Sequence, residues 1–164
     1  MSRRSRAAVA AILVVGFGLA GCGVRPADAD GTLERVTSGG VLRAGVSENP
    51  PWTSIGGGEP SNGEPTGSEV DLVEEFAAER GATVRWRTGT EEVLVDALHA
   101  GSLDVVVGGL TDGTPWKDDA AVTDVYRETT SPTGETEKHV MLTRAGENGF
   151  LMELEVFLRE EAGR

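Results

Sequence analysis

Apolar residues along this chain come in two rhythms: short continuous runs, and recurrences three and four positions apart. Their alternation predicts alternating strands and helices. Val41-Leu42-Arg43-Ala44-Gly45-Val46 and the run Val105-Val106-Val107 have the makeup of strands buried on both faces of a parallel sheet, and Thr83-Val84-Arg85-Trp86 is a shorter third. Val70, Val73, Phe76 and Ala77 recur at helical spacing, with Asp71, Glu74, Glu75 and Glu79 between them and Gly81 as the stop. A second amphipathic helix follows Thr90, its expected N-cap, with Glu91 and Glu92 in the first turn and Val93, Leu94, Ala97 and Leu98 facing inward, and ends at Gly101. Strand, helix, strand, helix, strand is an α/β pattern. It predicts a three-layer, mostly parallel sheet with flanking helices, the first strand lying between the second and third.

The flanks are less regular. A short helix is expected from Thr32, as N-cap, to about Thr37, stopped by Gly39-Gly40. Residues 54–68 are mostly Gly, Ser, Pro, Asn and Glu and predict a mobile surface loop. After Thr111 no regular order is expected until Lys138, and residues 129–137 form a polar connector. His139-Val140-Met141-Leu142 then predicts a strand, and Phe150, Leu151, Leu154, Phe157 and Leu158 mark a closing helix. The sequence has no internal repeat.

The first 21 residues carry a different signal. Arg3, Arg4 and Arg6 precede an apolar run from Ala7 to Leu19 that is short for a membrane span, and Leu19-Ala20-Gly21-Cys22 follows. This is the pattern of a lipoprotein signal peptide over residues 1–21. Small residues before the cut fit a narrow peptidase groove, and the Cys22 thiol is the nucleophile that takes the diacylglyceryl group. Two acyl chains suffice for stable attachment, so contact with the membrane is expected through lipid alone, on its extracytoplasmic face. Residues 22–31 then read as a tether and residues 32–160 as one domain. Loss of Arg3, Arg4 and Arg6, with no acid among residues 1–21, takes the formal charge from -12 to -15. Such a surface repels phosphate backbones and anionic headgroups, which disfavours nucleic-acid binding. With Cys22 as the single cysteine, no internal disulfide framework is possible.

Two strand ends carry the candidate chemistry. The run Val105-Val106-Val107 stops at Gly108-Gly109, with the hydroxyl of Thr111 two residues on, and ligands of open parallel sheets sit beyond the carboxyl ends of strands. The first strand likewise ends in Asn49-Pro50-Pro51-Trp52, a rigid loop presenting an aromatic face. Together they predict a site for a small polar solute. His99 and His139 have no sequence-evident nucleophile partner, no metal-ligand spacing or cofactor motif occurs, and the chain is not expected to be an enzyme.

The segments Gly40-Val41-Leu42-Arg43-Ala44-Gly45-Val46 with Pro51-Trp52, Gly67-Ser68-Glu69-Val70-Asp71-Leu72-Val73, Leu98-His99-Ala100-Gly101-Ser102-Leu103-Asp104-Val105-Val106 and Thr123-Asp124-Val125-Tyr126 resemble, in order and spacing, the bacterial extracellular solute-binding proteins of family 3, the polar amino acid receptors of ABC importers. The resemblance implies a lobe of a type II periplasmic-binding-protein fold. Family members have two lobes joined by crossing strands; here only residues 127–138 stand where a second lobe belongs, so a one-lobe receptor is expected. By the same resemblance Trp52 is the aromatic wall, Gly108 and Gly109 are amide donors and Thr111 is the hydroxyl. The family's carboxylate-binding arginine is missing: its place falls at Trp116 or Lys117, and a lysine offers a point charge where the family uses a planar, two-pronged donor. Asp112 or Asp124 would have to replace the second lobe's carboxylate toward the ligand ammonium. The implied partners are an amino acid-like solute and an ABC permease, with a homodimer as one means of supplying the other wall. The alternative is a degenerate one-lobe module serving as a sensor or protein-interaction lipoprotein without a transport ligand.

Overall fold

The protein was analysed as a computed structural model, which describes residues 26–56 and 64–163. The expected signal segment, Cys22 and the first part of the expected tether lie outside the described residues. Among those described, no helix is long and apolar enough to cross a membrane.

A parallel three-strand unit organises the molecule. β1 (Val41–Val46) pairs on one side with β4 (Thr83–Thr88) and on the other with β5 (Val105–Val107), both in parallel, in the order expected. α2 (Ser68–Glu79) connects β1 to β4, and α3 (Glu91–His99) connects β4 to β5. Side chains alternate across each strand, and the sheet therefore carries a core on each face. Leu42, Ala44, Val46, Val105 and Val107 join Val70, Val73 and Phe76 of α2, while Val106 packs with Leu94, Val95 and Leu98 of α3. Gly45 points to the α3 side, where a Cβ would stand 2.8 Å from Leu103 and 3.1 Å from Leu94, so only glycine lets α3 approach. Val93, expected inward, lies on the outer side of α3 and is 45% exposed.

Beyond this parallel unit the sheet is mixed. β9 (Leu142–Thr143) and β6 (Ala121–Val122) extend it beyond β5, each antiparallel to its neighbour, giving the order β4-β1-β5-β9-β6. The strand expected at His139–Leu142 is thus split: His139 ends an earlier strand and Leu142 begins β9. The stretch expected to lack order until Lys138 holds a 3₁₀ turn at Pro115–Asp118, β6, and a hairpin of β7 (Arg127–Thr130) with β8 (Thr136–His139). Its turn is closed by Ser131, whose carbonyl accepts from Gly134 N at 2.9 Å and whose N–H donates to Glu135. The loop expected over residues 54–68 contains a two-residue ladder of β2 (Ser54–Ile55) with β3 (Pro65–Thr66).

α4 (Asn148–Ala162) returns to the α2 face, where Phe150 and Phe157 meet Phe76 edge-on at 5.7 and 5.4 Å. The Arg80 guanidinium lies 4.0 Å from the Phe76 ring and binds Glu153 of α4 at 3.0 Å. α1 (Thr32–Thr37) begins one residue earlier than a Thr32 cap would require: Gly31 is the capping residue, at φ 69°, and offers no side chain. The first-turn amides are served from far along the chain, Thr32 N by Glu147 at 2.9 Å and Leu33 N by Asp28 at 2.7 Å. Asp28 also accepts from Phe150 N at the start of α4 and forms a bridge with Glu147, so residues 26–31 are docked on the domain and not a free tether.

Candidate functional site

β1 leads toward β4 on one side and β5 leads away on the other, so a crevice opens where their carboxyl ends stand side by side. Its walls are the loop Ser47–Thr53 and the loop from Gly108. Asn49 ties them together, its Nδ2 donating to Gly108 O at 2.9 Å, while Ser47 N donates to Val107 O. Thr53, fully buried, holds the first loop by accepting from Asn49 N at 3.0 Å and donating to Ser47 O.

Beneath this crevice lies a buried carboxylate. Glu69, in the first turn of α2, is 0% exposed; its Oε2 accepts from Gly108 N at 2.9 Å and Gly109 N at 2.8 Å, and its Oε1 from the Tyr126 hydroxyl. Burial pushes the Glu69 carboxyl above its ordinary range, and the donors from Gly109, Tyr126 and Gly108 only partly offset this. Burial and the adjoining Glu69 likewise push the Tyr126 hydroxyl up.

This arrangement corrects the role expected for Gly108 and Gly109. Their N–H groups point inward to Glu69, and the anion they hold is the protein's own. Both positions still demand glycine: a Cβ on Gly108 would fall 1.9 Å from Ser47 Oγ, and one on Gly109, at φ 64°, 2.4 Å from Asn49 Nδ2 and 2.5 Å from Trp52 Cδ1.

Trp52 is half-buried at the mouth. Its ring centroid lies 4.0 Å from that of His139, tilted by 38°, and the Arg127 guanidinium carbon lies 5.9 Å from it. His139 is 1% exposed; its Nε2 sits 2.8 Å from Thr129 Oγ1 and its Nδ1 is buried without a hydrogen-bond partner among the described residues. Thr111 forms a backbone bridge with His139, so the expected wall and hydroxyl share one neighbour. Asp112 is exposed, its N–H donating to Lys138 O at 2.8 Å. Trp116 lies apart from this group: it packs against the α3-side core and donates from Nε1 to Glu91 at 3.0 Å. Lys117 is exposed on the same 3₁₀ turn, and Asp124 meets Arg159 of α4 at 3.5 Å. The structure therefore brings together Trp52, Gly108, Gly109 and Thr111, with Trp116 and Lys117 on the turn facing α3. An open groove of about 510 Å³ at the ends of β1 and β4, lined by Ser47, Glu48, Ile55, Thr88 and Glu91 among others, adjoins them.

Sequence reasoning missed Glu69, Tyr126, Arg127 and His139 as parts of this region. Glu69 had a signal: it falls at i, i+4, i+7 with Val73 and Phe76, an acid on the buried stripe of an amphipathic helix. Arg127 and His139 had none, because the hairpin that joins them has no apolar period.

An open α/β lobe with a polar crevice at a topological switch point has the form of a small-solute binding domain. The profile of the bacterial extracellular solute-binding proteins, family 3, matches residues 42–160, and the chain belongs to that family. The sequence matches none of the curated proteins. Among solved structures, the chain is similar to a point variant of the arginine-bound form of domain 1 from TmArgBP (26% identity, TM-score 0.68, 80% of this chain and 99% of that one). The arginine-bound form of the same domain matches at 27% identity and TM-score 0.64, over 76% of this chain and 96% of that one. The L-cystine solute receptor of Neisseria gonorrhoeae, in its unliganded open conformation, shares the fold at 11% identity and TM-score 0.65, over 80% of this chain and 91% of that one. The match to nearly all of an isolated domain agrees with the hairpin: this is the expected one-lobe version, in which β7 and β8 are joined by a turn.

Proposed function

We propose that the protein is a lipid-anchored extracytoplasmic receptor that captures an amino acid or a related small polar solute and passes it to an ABC-type importer. The observation that carries this reading is the similarity, at 26 and 27% identity, to a single domain in its arginine-bound form, since that domain holds an amino acid without a second lobe. Trp52 and Thr111 form the solute-facing wall, and Asp112 stands at its rim toward the ligand ammonium. Trp116 and Lys117 border the adjoining groove. One lobe leaves much of a small ligand in water, so dissociation constants in the micromolar to millimolar range, about 8 to 4 kcal/mol, are expected. A second copy or the permease closes the other wall. Cys22 carries the lipid, and Cys22→Ser is expected to release the protein from membranes.

A thermal-shift and calorimetric panel of the L-amino acids tests the reading. Saturable binding of one class that is lost in Trp52→Ala and Thr111→Ala supports it, and binding unchanged in both variants contradicts it. A second reading, a degenerate module without a transport ligand, draws on one observation: the Gly108 and Gly109 amides are already taken by Glu69. Silence across the whole panel would select it.

A further inference from the structure

The candidate site lacks an arginine where the family places one, yet the fold delivers another to the same wall. Trp116 is bonded to Glu91, and Lys117 shares its turn on the α3 side. Arg127 opens β7, and its register partner is His139. Residues opposite one another on antiparallel strands point to the same face, so the Arg127 and His139 side chains stand together, and both meet Trp52. Thr111 bridges His139 from the other side. Thr111, His139 and Arg127 thus form one row across three neighbouring strand segments, with Trp52 against it.

Arg127 is also uncommitted. Arg35, Arg43, Arg80, Arg144 and Arg159 each lie within 4.0 Å of a carboxylate, in a chain with 27 acidic and 15 basic residues. Arg127 is exposed and has no such partner among the described residues. A guanidinium near an indole keeps its donors free at its rim while the ring limits its orientations. That is the geometry a carboxylate needs for paired hydrogen bonds.

We propose that Arg127, carried on the β7–β8 hairpin, is the residue that binds the carboxylate of the solute, in place of a charged residue on the loop after β5. The assignment rests on the reading of Trp52 and Thr111 as the solute-facing wall. The hairpin that closes the chain where a second lobe would stand then has a binding role of its own.

Calorimetric titration of the purified protein with L-arginine, and with L-argininamide, which keeps the side chain and ammonium but lacks the carboxylate, tests it. The wild type should prefer L-arginine by about tenfold or more, the effect of one charge-assisted pair. Arg127→Gln should abolish the preference, Arg127→Lys should restore part of it, and Lys117→Gln should leave it intact. Equal binding of both probes by the wild type, an undiminished preference in Arg127→Gln, or its loss in Lys117→Gln overturns the assignment. A second measurement does not depend on the solute: sodium acetate, against sodium chloride at equal ionic strength, followed on the arginine Nε–H resonances by NMR. Arg127 should shift saturably while Arg85 and Arg87 of β4, exposed and without an ion pair among the described residues, do not; an equal response from all three overturns the proposal. If no L-amino acid of the panel binds while acetate still selects Arg127, the amino-acid reading falls and the carboxylate site stands.

Discussion

Glu69 shows how much of the site rests on one side chain. It fastens the glycine pair after β5, holds the Tyr126 hydroxyl that leads into the hairpin, and does both from within the core. Because burial raises its carboxyl above the ordinary value, its contribution to stability is complete below the unfolded-state value and is lost as pH rises through the folded one. Glu69→Gln, which cannot titrate, should therefore lose its disadvantage as pH climbs: the melting-temperature gap between wild type and variant, measured from about pH 4 to pH 7, should be widest at acid pH. A gap that widens toward neutrality would contradict this. Gly109→Ala should cost about 1–3 kcal/mol in urea unfolding, from the positive φ and the overlap with Asn49 and Trp52, and should also alter the Trp52 fluorescence. At this scale Trp52, Gly108, Gly109 and Thr111 could be chosen from sequence because each follows a recognisable strand end. The inward aim of the amides could not, since it depends on an acid 39 residues earlier.

The long amphipathic elements were readable because burial fixes their period. Val70, Val73 and Phe76 on α2, and Leu94, Ala97 and Leu98 on α3, are buried as their spacing predicts. The two-residue strands β6 and β9 were not, because their order comes from contacts elsewhere: Thr123 N donates to Met141 O, and the Thr123 hydroxyl accepts from Met141 N. The start of α1 escaped for the same reason. Its cap is Glu147, 1% exposed, whose oxygens take Asp30 N at 2.8 Å and Thr32 N at 2.9 Å. Burial pushes this carboxyl up, but the hydrogen bonds from Thr32 and Asp30 and the nearby Arg144 together bring it below its ordinary value. Its stabilisation is thus complete above the unfolded-state value and fades as pH falls through the folded one. Glu147→Gln should lower stability by about 1 kcal/mol at neutral pH, with the deficit shrinking in acid, as followed by thermal unfolding across pH.

For the molecule as a whole, the strand order β4-β1-β5 goes with α2 and α3 crossing on opposite faces of the sheet, and it is this order that opens the crevice. The two ends of β5 do separate jobs. At its start, Asp104, 0% exposed, accepts from Arg43 N and pairs with Arg35 and Arg43, which joins α1 to the sheet; this pairing also raises the Arg43 guanidinium. At its finish stand Gly108 and Gly109. Asp104→Ala should therefore cost about 3 kcal/mol, the lower end for breaking a buried pair because both arginines keep about a third of their surface in water. The affinity of the folded protein for its solute should not change.

The central claim is that a single lobe suffices to hold an amino acid-like solute at the carboxyl ends of β1 and β5. The most direct measurement is an NMR titration of the purified protein with L-arginine and then the other L-amino acids, mapped residue by residue. The account predicts saturable shifts centred on Trp52, Gly109, Thr111 and Arg127 for at least one of them. Shifts centred elsewhere, or none with any amino acid, would contradict it.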